Sequence, residues 1–599
     1  MIDKDKGHLY TQNRTILSHL SEEKVDINNV ISADGWNMTR KLITANGTMP
    51  GPDIIVHQNQ KITIVVYNHL LSEEVSIHLH GIEQFGTPAM DGVPFVTQCP
   101  ILPGQSFNYT FTPRIGGTYF YHSHPGMQFD LGLFGAFIVL QDWNHLIDSE
   151  TILKSTKMVN IRKRLISVAS NQHFLFSIPG IKFIVKETDD DEIQPIIVDK
   201  ILLFTGERYD IELNLENVNE GVYDIFAHSI SGNNLNFKNE SPGHAYLHVI
   251  NNNSMETPFN VSSEEKTILN CPFVVYPAMP NWTCIPLSAL KTLNRLEQIH
   301  LTQKTNKQSE YFLNLSFVGF KTSGINGRIF KMPTIAPLAQ ASEIDTSCYN
   351  CGAENSCFCS HSINLATGSE VIFIFLNFDI GPLLMVHSVH IHGHKFQVLK
   401  IGLTSVNSAG VAIPTSDIKC SDSPSNAESL CYNARWSNDT WAEIDNIHEI
   451  NLQNGVYKDT VVISPGGYAI LRIRVTNPGV WSVHCHRSLH LASGMNAMLN
   501  VSFENQRNFL PWDLPTCRSF YNRRQSSHYV RTTRNPTETS YDVTTKISHE
   551  EDINTVTNTT TSLFGDGGQT TALVIIIIFC TVITIQRILL IFTIRKLRK

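Results

Sequence analysis

The segment Trp481-Ser482-Val483-His484-Cys485-His486-Arg487-Ser488-Leu489-His490, followed by Met495, constrains this chain most. A strand turns successive side chains to opposite faces. The thiol of Cys485 therefore looks to one side, and the imidazoles of His484 and His486 look to the other. A soft thiolate with imidazole and a weak axial thioether suits an electron-transfer copper. Two imidazoles on the far face suit a second metal, so the segment is both two sets of ligands and the covalent link between them. Taken alone, His-Cys-His also fits a buried thiol beside two histidines, or part of a zinc site.

The pattern does not stand alone. His-x-His recurs at His78-Leu79-His80-Gly81, at His122-Ser123-His124 and at His390-Ile391-His392-Gly393, with His387 just ahead of the last. Together with His490, ten of the 25 histidines sit in four clusters. The two imidazoles of each pair lie two residues apart, on one face of a strand. Structural zinc sites close a tetrahedron, usually with paired cysteines, and ten imidazoles with one cysteine and one methionine do not read that way.

An internal repeat sharpens this. Leu102-Pro103-Gly104 precedes His122 by the same distance that separates Ser464-Pro465-Gly466 from His484. Both copies continue through an alternating apolar run (Phe107 to Phe111, Ala469 to Ile473) to Gly-x-aromatic-x-x-His-x-His, from Gly117 to His124 and from Gly479 to His486. Upstream, Ile62 to Asn68 is echoed by Val371 to Asn377, each ahead of a His-x-His-Gly. The two ends of the chain are thus versions of one β-domain, each with half of a histidine set. The middle, around 145–300, has strand patterns and no such pairs. Three β-sandwich domains with metals between the first and third satisfy these observations.

These motifs, in this order, resemble the multicopper oxidase family in its three-domain laccase, ascorbate oxidase and ferroxidase form. The resemblance covers nearly the whole chain ahead of its C-terminal tail. Asp91 to Ile101 and Gly206-Glu207-Arg208-Tyr209-Asp210 are similar to animal laccase-like members. The family implies an all-β fold of three cupredoxin-like Greek-key β-sandwich domains, here at 28–142, 143–265 and 266–517. It also implies four copper ions. By resemblance His387, Cys485 and His490 bind the type 1 copper with Met495 axial, and His78 and His390 hold the type 2 copper. His80, His122, His124, His392, His484 and His486 then hold the type 3 pair, while His394 matches a histidine that is not a ligand. The implied reaction is one-electron oxidation of a donor near His490, conducted through Cys485 to His484 and His486 and coupled to reduction of O2 to water. Asp91 matches the family's proton-donating acid; a turn Asp before Gly92 is the structural alternative. Asp199 resembles the acid that contacts phenolic substrates, although Val-Asp in a strand is a weak signal.

Three departures from the family stand out. After His-Cys-His the family has an apolar residue and then an acid, where this chain has Arg487 and Ser488. Leu79 replaces the usual Trp in the first pair. The second domain reads as shortened, because Arg162 to Ser167, a strand well inside such a domain, follows soon after Asp142-Trp143-Asn144-His145; the missing strands would expose sheet edges.

With 46 basic against 54 acidic residues and no basic cluster ahead of the C-terminus, nothing implies a nucleic-acid partner. Of twelve cysteines, Cys485 reads as a ligand and Cys580 lies in an apolar run. The even remainder suits disulfides in an oxidising compartment, and the resemblance implies Cys99–Cys517. The Cys348–Cys359 cluster reads as a disulfide loop or as a further metal site. Sequons such as Asn37, Asn108, Asn281, Asn438 and Asn500 agree with secretion. The start, Met1 to Gly7, lacks the apolar run of a signal peptide and reads as incomplete. A Ser/Thr-rich stalk over 518–570 leads to an apolar segment at 571–594, long enough for a transmembrane helix, and to a basic tail at 595–599 that marks the cytoplasmic side. The expectation is a plasma-membrane oxidase with its ectodomain outside, acting on phenols or diphenols with O2. A ferroxidase oxidising Fe(II) is the alternative, for which Glu187, Asp189 and Asp190 offer acids that read as an exposed turn. A second alternative is a catalytically weak copper-binding surface protein.

Overall fold

The computed structural model describes residues 42–141, 160–214, 218–230, 243–249, 266–293, 309–319, 322–344, 357–380, 385–420 and 431–502, with short pieces at 9–11, 16–17, 30–31, 346, 348, 351, 510–511, 514–517 and 591–593. The apparent gap in the second domain around Asn144 and the proposed stalk at 518–570 lie outside the described residues.

The described residues are almost entirely strand and loop, in three packed groups of sheets. In the first, Ile54–His57, Phe134–Leu140, Gly117–Ser123 and Ile77–His80 form one sheet, in that order, and Ile62–Tyr67 pairs with Ser106–Phe111. In the middle group, Asn160–Ile166, Arg208–Asn214, Phe183–Thr188 and Asp191–Val198 form a four-stranded sheet. Its edge strand packs on the first group: Ile166 and Val168 join Phe120, Phe129 and Phe134 in one apolar cluster, and Arg164 bonds both Thr118 and Asp210. In the last group, Ser362–Leu365, Asn496–Val501, Gly479–Cys485, His387–Ile391 and Thr460–Ile463 form a five-stranded sheet against a larger one.

The repeat read from the sequence appears as one pairing register used twice. Ile77–His80 runs antiparallel to Gly117–Ser123 with His78 opposite His122, and His387–Ile391 runs antiparallel to Gly479–Cys485 with His390 opposite His484. The glycine and the aromatic residue of each repeat meet. A Cβ on Gly393 (φ +68) would lie 2.2 Å from the Trp481 ring, and one on Gly81 (φ +90) would lie 2.8 Å from the Tyr119 ring. The aromatic side chain thus packs under the turn that follows His-x-His, which requires glycine for both its positive φ and its missing side chain. Both histidine-bearing strands, Gly117–Ser123 and Gly479–Cys485, are buried along their whole length. One face meets its own core and the other meets a neighbouring domain.

Five disulfides form among the described residues: Cys99–Cys517, Cys271–Cys284, Cys348–Cys359, Cys351–Cys357 and Cys420–Cys431. The first is the pair implied by the family, and the cluster at 348–359 is paired rather than open for a metal. Of the apolar segment 571–594, the structure describes Ile591–Thr593, a strand paired parallel to Gly243–Val249; the rest of that segment lies outside the described residues. Among the described residues no helix is long and apolar enough to cross a membrane.

Gly393→Ala should therefore destabilise the chain more than Gly410→Ala, a second positive-φ site (φ +77) with open space around it. The backbone strain is common to both at about 1–2 kcal/mol; the clash with Trp481 should add about 1–3 kcal/mol, measured as the difference in denaturant midpoints.

Candidate metal centre

Alternation along Gly479–Cys485 separates two groups of ligands. Cys485, opposite Val389, points into the core that holds Trp481, Val483 and Met495. There its Sγ lies 3.4 Å from His490 Nδ1 and 3.7 Å from His387 Nδ1, and those two nitrogens are 3.0 Å apart. Met495, fully buried, is tied by backbone hydrogen bonds to Cys485 and His490. On the other face, the first and last domains bring their histidines together in three groups: His78, His80 and His390; His80, His122 and His486; His124, His392 and His484. All twelve residues singled out from the sequence as ligands are buried and fall into these two places.

Their hydrogen bonds fix which ring nitrogen faces inward. The Nδ1–H of His78 donates to Asp91 O (2.7 Å), that of His390 to Asp459 O (2.9 Å), that of His122 to Ser123 O and that of His484 to Cys485 O (both 3.0 Å). His392 Nδ1 meets the Asp91 carboxylate at 3.0 Å. His80 is the reverse: its Nε2 bonds Asp459 and Thr460, and its buried Nδ1 has no partner. The inward nitrogens are left facing one another, His78 Nε2 3.4 Å from His390 Nε2 and His392 Nε2 3.0 Å from His484 Nε2. Those of His122, His124 and His486 are buried without a partner. Burial and mutual repulsion hold the imidazoles of His80, His122, His124, His392 and His486 neutral, with His484 and His387 pushed down to about 3, the latter by burial and by Arg487. Lone pairs converging in a dry site are a cost unless a cation receives them. Burial likewise pushes the Cys485 thiol up to about 11, so a thiolate there requires a metal beside it. The donor set, neutral imidazoles with one thiol and one thioether, fits copper.

The groups that hold the ligands in place come largely from the middle domain, and local pattern does not reveal what they will touch. Arg208 grips Asp459 with two hydrogen bonds (2.7 and 2.6 Å) and donates to Thr118 O of the first domain. Asp189 accepts from the Asp459 backbone N–H and pairs with Lys458 at 3.1 Å. Burial works against the Asp459 charge, but Arg208 and the two histidines hold its carboxyl well below the usual range. Gly206 (φ +87) closes the back of the cluster, where a Cβ would meet His80 at 3.0 Å and His486 at 3.2 Å. Asp91, expected as the acid of the site, is fully buried between His78 and His392. Glu187, Asp189 and Asp190 are corrected: they are buried, not an exposed turn, with Asp189 on Arg208 and Lys458 and Asp190 on Lys395 and Tyr119. An acidic run such as Glu187 to Asp191 looks solvated in a sequence, and the cations of Asp189 and Asp190 come from distant segments of the chain. Asp199 accepts from the Thr267 N–H and hydroxyl.

Residues 28–143, 140–252 and 330–504 match three family models, each described as multicopper oxidase. Laccase-1 of Fomitopsis schrenkii is 28% identical over 530 residues, covering 79% of this chain and 85% of that protein. The iron transport multicopper oxidase FET3 of Saccharomyces cerevisiae is 24% identical over 547 residues, covering 81% and 77%. Among solved structures, Fet3p superposes with a TM-score of 0.57 at 21% identity, covering 78% of this chain and 87% of that one. A laccase from Botrytis aclada gives 0.54 at 23%, covering 78% and 86%. These two share the cupredoxin-like fold. Three successive domain models and the converging histidines lead to one conclusion: this chain belongs to the multicopper oxidase family, copper-dependent oxidoreductases with one type 1, one type 2 and two type 3 coppers.

Proposed function

We propose that the reducing substrate is a phenol or diphenol, and that the twelve buried donors divide as the family resemblance implies. His387, Cys485 and His490, with Met495 axial, then take the type 1 copper; His78 and His390 take type 2; His80, His122, His124, His392, His484 and His486 take the type 3 pair. Copper supplies one-electron chemistry at the thiolate site and reduction of O2 at the histidine cluster. The chain's own part is to orient and to exclude water. Asp91 and Asp459 each steady two imidazoles from different domains, which sets ring orientation and tautomer. The strand from Cys485 to its neighbours His484 and His486 joins the two places through covalent bonds.

The surroundings of His490 carry the choice of substrate. Leu489 beside it is 58% exposed, and Phe317 stands edge-on to the His490 ring at 5.0 Å. Arg487 is the charged side chain that acts on His387 and His490, and no carboxylate acts on either among the described residues. An apolar and aromatic approach suits an arene, while a buried cation beside the site opposes Fe(II). Of the acids that favoured the ferroxidase reading, Asp189 and Asp190 are spent inside the protein on Arg208, Lys458 and Lys395, and Glu187 is buried. The relatives include both laccases and an iron transport oxidase.

We also propose that the ectodomain faces outside the plasma membrane. The five disulfides, the sequons and the apolar run at 571–594 support this reading. Alkaline carbonate extraction of membranes tests it: the full chain should stay in the pellet, and a chain ended at Thr570 should be released.

Steady-state oxygen uptake should show kcat/KM for a diphenol well above that for Fe(II). Leu489→Asp should narrow the gap by lowering the diphenol value about tenfold or more, on the order of 1.4 kcal/mol. A higher value for Fe(II) in the unaltered chain would reverse the assignment. Cys485→Ser should abolish both the blue absorbance and oxygen uptake while the remaining coppers stay bound, read by metal analysis.

A further inference from the structure

Reduction of one O2 takes four electrons from the donor and four protons, and yields two waters. The electrons enter beside His490; the protons need a route of their own. Asp91 has both carboxylate oxygens committed to His392 and its backbone carbonyl to His78. The position two residues after His486 holds Ser488, which carries no exchangeable carboxyl proton. The Ser488 hydroxyl, in a residue only 7% exposed, donates instead to Asp130 Oδ1 at 3.1 Å, across 358 residues of sequence. The other oxygen, Asp130 Oδ2, is buried, and the Ser170 hydroxyl acts on the same carboxyl.

The location of this carboxyl matters as much as its chemistry. Asp130 directly follows Phe129, whose ring covers the histidine cluster at 4.7 Å from His122 and 5.8 Å from His486. Ser488 begins the short helix Ser488–Ala492 that carries His490, and its backbone N–H donates to Ser170 O of the middle domain. Asp130 therefore stands where the three domains meet, next in the chain to the ring that packs on His122 and His486. We propose that Asp130, positioned by Ser488, is the proton relay that serves the His122 and His486 side of the oxygen-reducing site.

In each turn of the relay the Asp130 O–H bond breaks, the carboxylate keeps the electron pair, and the proton moves toward the site of O2 reduction. The Ser488 hydroxyl stabilises the carboxylate so formed, and a proton from solvent restores the acid. Burial raises the Asp130 carboxyl above its ordinary value, and the hydroxyls of Ser170 and Ser488 act in the opposite sense. The side chains that act on it are those two hydroxyls; Asn171 donates to the Ser170 hydroxyl, and Arg487 adjoins Ser488 in the chain. The Arg487 guanidinium donates to Val386 O, and no charged side chain contributes to the Asp130 shift. A raised pKa keeps the donor protonated at higher pH than a free carboxyl allows. Turnover should hence fall as pH rises through the pKa of Asp130.

The test uses the full, copper-loaded chain and separates the two half-reactions, with a diphenol and Fe(II) as alternative donors. Because oxygen reduction is common to both donors, the result stands whichever of them proves physiological. Asp130→Asn should leave anaerobic bleaching of the blue absorbance within about twofold and slow reoxidation by O2 about 10²-fold. It should also remove the alkaline fall in turnover, which Asp130→Glu should retain. Ser488→Ala, which spares the carboxyl but removes its hydrogen bond, should move that fall to higher pH. Adding Ser488→Asp to Asp130→Asn should restore reoxidation. Unchanged reoxidation and pH profile in Asp130→Asn would overturn the proposal, as would equal slowing of both half-reactions with loss of copper. Should Asp130→Asn not fold, an unshifted profile in Ser488→Ala would overturn it alone.

Discussion

The structure depends on one geometric constraint, that neighbouring residues of a strand face opposite ways. Gly479–Cys485 puts Trp481, Val483 and Cys485 into the core of the last domain and sends His484 out to the first. Such a strand has no solvent face, which is why it is buried at every position. Its partner His387–Ile391 obeys the same rule, so that His387 and His390, three residues apart, serve different places. A slip of one residue in the pairing would exchange the two faces. The fit of Trp481 against Gly393, and of Tyr119 against Gly81, guards the register in both copies.

That constraint also explains what the sequence reveals. Ligands spaced by two, repeated in four places, announce their own arrangement, and the parallel runs from Gly117 and from Gly479 announce that two domains share it. The paired β-domains of both ends, and the separation of Cys485 from His484 and His486, follow from short-range pattern; the grouping of His78 through Met495 by copper comes from the family resemblance. The middle domain is different. Arg208 is visible as part of a family-like stretch, yet nothing local says that it will clamp Asp459, 251 residues away. Asp189 and Asp190 sit in an acidic run that reads as solvated surface, and their burial depends on Lys458, Lys395 and Tyr119. Short pattern shows ligands; it does not show the charges that a tertiary fold brings to them.

None of the twelve buried donors comes from the middle domain, whose contribution among the described residues is electrostatic. Asp459 lies in the last domain, touches His80 of the first and His390 of its own, and receives its countercharge from Arg208 of the middle. Such a buried network gives little net stability in itself, while removing one member typically costs about 3–5 kcal/mol. Its value is positional. It fixes the distance between domains at the point where imidazoles from two of them must share metals, and Gly206 allows the backbone to approach without displacing a ring.

Arg487 and Ser488 acquire meaning in the same frame. The Arg487 guanidinium is buried and donates to Val386 O, close to the Cys485 site. A fixed positive charge there favours the reduced, less positive state of any metal at Cys485, and so raises its potential. Such a charge also discourages a cationic donor, which leaves the exposed apolar rim at Leu489 as the way in. An acid in place of Ser488 would stand beside this guanidinium and neutralise part of its field. Holding the carboxyl on Asp130 instead, across the domain seam and behind Phe129, keeps the proton-bearing acid on the oxygen side and the cation on the donor side. Residues that look like losses against the family pattern thus separate an acid and a cation that the pattern would place together.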